Sequence, residues 1–240
     1  MSIHVLPGDS LVAEFNKTGI DGEVVVCREC LVAGDRSGTT LDEFWDRRAN
    51  FIALEYGGDP IEYQENVAYE LEKLIGLPAD TEVNLWFEYE LFCQVNMWFC
   101  LDLLKGSDVR VFRIEPLNAS PDDIWKGFGK LEAVDLVNCY EGRTQFSEED
   151  IAMGSQLWEA FRQEDLDELR RLGEYRSPCF PFLKEVCEAA AEIGSRPAEI
   201  VRELKASGLN ELESLFPEFQ KRAGVYGYGD LQVARLLQES

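Results

Sequence analysis

Glu82-Val83-Asn84-Leu85-Trp86-Phe87-Glu88-Tyr89-Glu90-Leu91-Phe92-Cys93-Gln94-Val95-Asn96-Met97-Trp98-Phe99 reads as a buried strand running directly into a buried helix. The first six residues are mostly apolar, as in strands covered on both faces. From about Tyr89 to Leu104 apolar residues occupy nearly every side of a helix, which marks it as core. Lys105-Gly106-Ser107 stops it, and Asp108–Ile114 reads as the next strand. Glu88 falls just past the strand end. Glu90 and Gln94 stand four apart on one helix face. Burying a carboxylate and an amide costs several kcal/mol unless both are hydrogen-bonded.

The same alternation extends toward the N-terminus. Ile3–Leu6 and Glu23–Cys27 are short apolar strands, with a helix between them from Leu11 to about Lys17. Helices follow at about Leu41–Leu54 and Ile61–Ile75. Strands alternating with helices predict an α/β fold: a mainly parallel, Rossmann-like sheet with flanking helices. After Pro116 no convincing strand is read. Ser120-Pro121, Ser147-Glu148, Ser177-Pro178, Arg196-Pro197 and Asp230 each open a helix, and one long helix carries Ile151 through Leu172. Residues 1–120 are therefore expected to form the α/β domain and 121–240 a helical C-terminal domain.

Composition narrows the function classes. The 46 acidic residues against 23 basic ones give a formal charge of −23. Such a chain lacks the basic surface of a nucleic-acid binder and is repelled by anionic lipid. With one His, no two-His metal site can form. No stretch approaches a membrane span and the first residues do not read as a signal peptide, so a cytoplasmic location is expected. The acidic bias fits a salt-adapted host or an ordinary acidic cytosolic protein equally.

Gly8-Asp9-Ser10-Leu11 spells the motif of the GDSL esterases, yet the family's late Asp-x-x-His is missing. The lone His4 lies before Ser10 on the preceding strand. A serine with no base is a poor nucleophile. Asp9 or Ser10 is instead expected to cap the first helix, or to face a ligand at the strand ends. Cys27-x-x-Cys30 has no second ligand pair for zinc and no helix start to activate it. Gly127-Phe128-Gly129 is too short to be a phosphate loop.

Several blocks together resemble a bacterial family of uncharacterised proteins, domain-of-unknown-function family 1835. They are His4-Val5-x-x-Gly8-Asp9-Ser10, Val26-x-Arg28-Glu29, Leu85-Trp86-Phe87-Glu88 with Gln94, and Trp125-Lys126-Gly127-Phe128-Gly129. Phe180-Pro181-Phe182-Leu183 and Tyr228-Gly229-Asp230-Leu231-Gln232-Val233 extend the resemblance over almost the whole chain. Many relatives read Trp-Phe-Glu-His-Asp-Leu-Phe-Asp-Gln where this chain has Tyr89, Glu90 and Cys93. The resemblance implies the architecture and a site, but no reaction or cofactor.

Two functional expectations follow. One is a small-ligand pocket at the carboxyl ends of the parallel strands: Glu88 or Glu90 as acid, base or metal ligand, Arg28 as anion clamp, and Asp9, Ser10 and Gln94 as orienting groups. In that pocket Arg28 would pair with Glu88 or Glu90. The other is a structural buried network in a non-enzymatic interaction or regulatory module. Its helical half would dock a protein partner or a second copy through exposed aromatics such as Tyr226 and Tyr228. No metal is assigned.

Overall fold

The computed structural model of the protein describes residues 1–117 and 121–239. Its centre is a five-stranded sheet in the order β2-β1-β3-β4-β5. The strands are β1 (Ser2–Leu6), β2 (Glu23–Val26), β3 (Glu82–Trp86), β4 (Arg110–Ile114) and β5 (Thr144–Gln145). The first four are parallel, with His4 opposite both Val24 and Asn84, and Asn84 opposite Phe112. Short β5 joins β4 antiparallel, Phe112 opposite Gln145. The fold is α/β, as the strand–helix alternation requires.

Side chains alternate between the faces, so each strand feeds two cores. Val5, Val83, Leu85 and Val111 face the larger one, which includes the buried helix after β3. Leu6, Trp86 and Ile114 face a smaller one. The helices before that point are α1 (Asp9–Phe15), α2 (Leu41–Tyr56), and α3 (Pro60–Tyr63) joined through a π-helical turn, Gln64–Ala68, to α4 (Tyr69–Glu72). The buried helix is α5 (Leu91–Leu104). Lone His4 lies on the smaller-core side, fully buried. Trp86 Nε1 donates to His4 Nδ1 at 3.2 Å, so the ring's proton sits on Nε2, 3.3 Å from the Asp21 carbonyl. Burial lowers the imidazole pKa from 6.5. His4 is thus a satisfied neutral core group.

The C-terminal part departs from expectation. Helix α6 (Ala133–Glu141) packs against α1, and the chain then re-enters the sheet as β5. The sheet therefore ends near residue 145, not 120. Two residues of Thr-Gln carry no apolar alternation, which is why no strand was expected there. Ser120, expected to open a helix, lies outside the described residues, and Pro121–Lys126 is a 3-10 turn. Helix α7 (Glu148–Arg162) is capped as expected by the Ser147 hydroxyl, which accepts from the Asp150 amide at 3.1 Å. Its expected continuation is broken at Glu164, φ 56°, before α8 (Leu166–Leu172). The remainder is α9 (Leu183–Glu192), α10 (Arg196–Ala206), α11 (Leu212–Ala223) and α12 (Asp230–Glu239). One contiguous apolar core runs from β1 to Val233 in α12. Among the described residues no helix is long and apolar enough to cross a membrane.

Candidate functional site

The carboxyl ends of β1 to β4 share one edge of the sheet, and the strand order reverses between β1 and β3. That is where open parallel sheets form ligand crevices. The six candidate residues all belong to this edge but form two groups.

The first group stands over β1 and β2. Arg28 Nε and Nη2 donate to the Asp9 carboxylate at 2.8 Å each, and Nη1 donates to the Asn66 carbonyl at 2.9 Å. Arg28 thus pairs with Asp9, not with Glu88 or Glu90. Fork geometry and reach decide this, since Asp9 begins the helix beside the β2 end. Asp9 is not a cap; it is the first residue of α1, whose N-cap is Gly8, with no side-chain cap bond. Ser10 is exposed beside it.

The second group stands over β3 and β4. The loop after β3 is tied down by Gln94, whose Nε2 donates to the Glu88 carbonyl at 2.5 Å. Gln94 therefore orients the loop rather than a ligand. Glu90 caps α5, accepting from the Cys93 amide at 2.8 Å. The Glu88 carboxylate accepts from the Phe128 amide at 2.6 Å. Gly127, φ 60°, lies so close that a Cβ there would sit 1.8 Å from Glu88 Cδ. Gly227, φ 70°, approaches Glu90 the same way, its would-be Cβ 2.7 Å from Cδ. Two glycine loops, one before α6 and one before α12, thus close on two adjacent carboxyl groups.

These carboxyls are poorly solvated neighbours. Burial first, and then the Glu88 charge, push Glu90 up to about 7. Burial also raises Glu88, against the Phe128 amide and the Arg113 guanidinium. Arg113 is fully buried on β4: Nη2 lies 3.4 Å from the Glu88 carbonyl, Nη1 3.2 Å from Met97 Sδ, and Nε 3.9 Å from Glu115. Period-two alternation in the β4 sequence places Arg113 inward beside Val111, a signal the apolar composition of that strand obscured.

Glu88 and Glu90 line a cavity of about 990 Å³. Its other walls come from beyond residue 120: Trp125, Lys126, Lys130, Phe219, Lys221 and Tyr228 among them. Asp9, Ser10, Arg28 and Gln94 do not line it. Oxygens of Glu88 and Glu90 and the Cys93 sulfur lie within 4.8 Å of one another, the only such donor set found among the described residues. Burial and both glutamates push the Cys93 thiol far up, against ready metal ligation. Tyr226 is buried at 3 % exposure, and Tyr228 stacks on Phe219 at 6.2 Å, so neither is the exposed docking aromatic expected.

A second polar cluster escaped the sequence analysis altogether. Fully buried Arg48 forms a bidentate pair with Glu29, 3.0 and 2.7 Å, and bonds the Ala33, Asp35 and Cys30 carbonyls. Tyr63 donates to Glu29 as well. Asn96 spans the Glu29 carbonyl and the Leu31 amide. This network fixes the loop after β2 and leaves no open valence for chemistry. Cys27 and Cys30 lie within that fixed loop as free thiols; the hydrogen bond with Cys100 and then burial raise Cys27, and burial raises Cys30. Compared with protein-family models, with curated proteins and with solved structures, the chain matches none.

Proposed function

We propose that the protein binds a small polar ligand in the Glu88–Glu90 cavity at the carboxyl ends of the parallel strands. One observation carries this: two adjacent carboxyl groups, Glu90 buried and Glu88 half-buried, each crowded by a glycine from a separate loop, open into a cavity of about 990 Å³. That size is at the upper end of small-molecule pockets. Desolvated paired carboxyls are also suited to acid–base work, one holding the proton the other lacks. Arg28 and Asp9 form a self-satisfied pair outside the cavity and are not part of the proposed site.

Membership of domain-of-unknown-function family 1835 is part of the proposal, since the Leu85-Trp86-Phe87-Glu88 block ends on the cavity carboxylate. A reducing cytosolic setting belongs to it too, in keeping with seven free cysteines.

The test is a thermal-shift screen of polar metabolites against the full chain and its Glu88→Gln variant, which keeps an acceptor for the Phe128 amide. Compounds that raise the wild-type Tm by several degrees should lose most of that shift in Glu88→Gln. Equal shifts in both proteins would remove the cavity as the binding site.

A further inference from the structure

We propose that this cavity takes a phosphorylated planar heterocycle, its phosphate against Lys130 and Lys221 and its ring N–H donors against Glu88 and Glu90. The inference rests on the binding reading above and narrows it to a ligand class.

Charge is the first support. The chain holds only eight lysines against 46 acidic residues, and three of the eight line this one cavity. A molecule of net charge −23 repels anions at range, so a local cluster of cations is unusual on it and marks where an anion is tolerated. Lys221 is paired with Glu218 at 2.6 Å on an exposed helix face. An ion pair this exposed is weak and yields readily to a phosphate. The carboxyls oppose this only in part, because burial and mutual repulsion keep the Glu88–Glu90 pair from carrying two full charges near neutrality.

The walls supply the second support. Trp125 and Tyr228 are half-buried rings, Tyr228 backed by buried Phe219 at 6.2 Å, an apolar lining that suits a flat ring better than a flexible chain. Glycines 129, 224, 227 and 229 also line the cavity, leaving its backbone free of side chains. At the Glu88–Glu90 end a second anionic group would meet like charge, whereas an edge of N–H donors meets acceptors. Guanine presents two such donors side by side, matching a carboxylate's two oxygens.

The experiment is calorimetric titration of the full chain with guanosine monophosphate, guanosine and inorganic phosphate. The nucleotide should bind at least tenfold more tightly than either fragment. The double variant Lys130→Gln/Lys221→Gln should weaken the nucleotide at least tenfold and leave guanosine unchanged. Glu88→Gln should weaken nucleotide and nucleoside together and leave phosphate unchanged. Guanosine binding as tightly as its phosphate, or nucleotide binding indifferent to the lysines, overturns the ligand class. If the nucleotide fails while another compound gives a Glu88-dependent shift in the thermal screen, the class alone falls. If no compound gives a Glu88-dependent shift, the binding reading falls with it.

Discussion

Glu90 holds two positions whose demands on its proton conflict. As the cap of α5 it accepts from the Cys93 amide, which favours the carboxylate. Burial and the neighbouring Glu88 charge favour the neutral acid, and these win, taking it from 4.5 to about 7. A carboxyl raised in the folded state stabilises fully below its unfolded pKa. That contribution is lost as pH rises through the folded value. Wild-type stability should therefore fall by on the order of 3 kcal/mol between pH 4 and pH 8 from this group. Glu90→Gln keeps an acceptor for the cap and cannot ionise. Urea unfolding should find the variant equal to wild type at pH 4 and more stable at pH 8. Curves that stay parallel over that range would mean that Glu90 ionises without strain.

At the scale of elements, the four parallel strands and the buried helix after β3 were legible because apolar runs of strand and helix length need no long-range information. Long-range pairing was not legible. The sequence points to Arg28 as the partner of Glu88 or Glu90 and does not single out Arg48. Only the fold shows that Arg28 reaches Asp9 while Arg48 reaches Glu29. Glu88 and Glu90 were recognisable as acids forced inward, yet the lysines that share their cavity lie in α11 and in the segment before α6. Gly127-Phe128-Gly129 reads as too short for a phosphate loop; its Phe128 amide holds a carboxylate of its own chain. The glycine makes this checkable. Gly76 has the same positive φ with open space around it, whereas Gly127 is crowded by Glu88. Gly76→Ala should cost about 1–2 kcal/mol, the left-handed penalty alone. Gly127→Ala should cost roughly 1–3 kcal/mol more, as overpacking does. Adding Glu88→Ala should recover most of that excess, a coupling readable by a double-mutant cycle in urea. Equal costs at the two glycines would show that the close approach is easily relaxed.

At the scale of the molecule, the cavity joins the sheet edge to the last helices, so it exists only when both parts are in place. Helix α5 is the shared element: one side covers the sheet and the other meets α7. Gly154 lets α7 approach until its would-be Cβ is 2.3 Å from Leu101, closer than any other residue type permits. Phe99 packs on Trp158 at 5.0 Å and Trp98 on Phe161 at 6.3 Å. Ser155 completes the contact, donating to Asp102 at 2.6 Å and accepting from Lys105 at 3.1 Å. A chain ending after Phe146 retains all five strands but uncovers that aromatic face of α5. Leaving several large side chains exposed forfeits about 1.5–3 kcal/mol for each, which is comparable to the whole stability of a domain this size. Two independent domains predict that fragment 1–146 unfolds cooperatively by itself; one continuous core predicts that it does not. We expect the full chain to melt in a single transition. The fragment should keep far-UV helical signal, lose near-UV signal and bind an apolar dye, the behaviour of a collapsed chain without fixed packing. A sharp melting transition in the fragment would restore the domain boundary and, with it, a cavity assembled by docking rather than by folding.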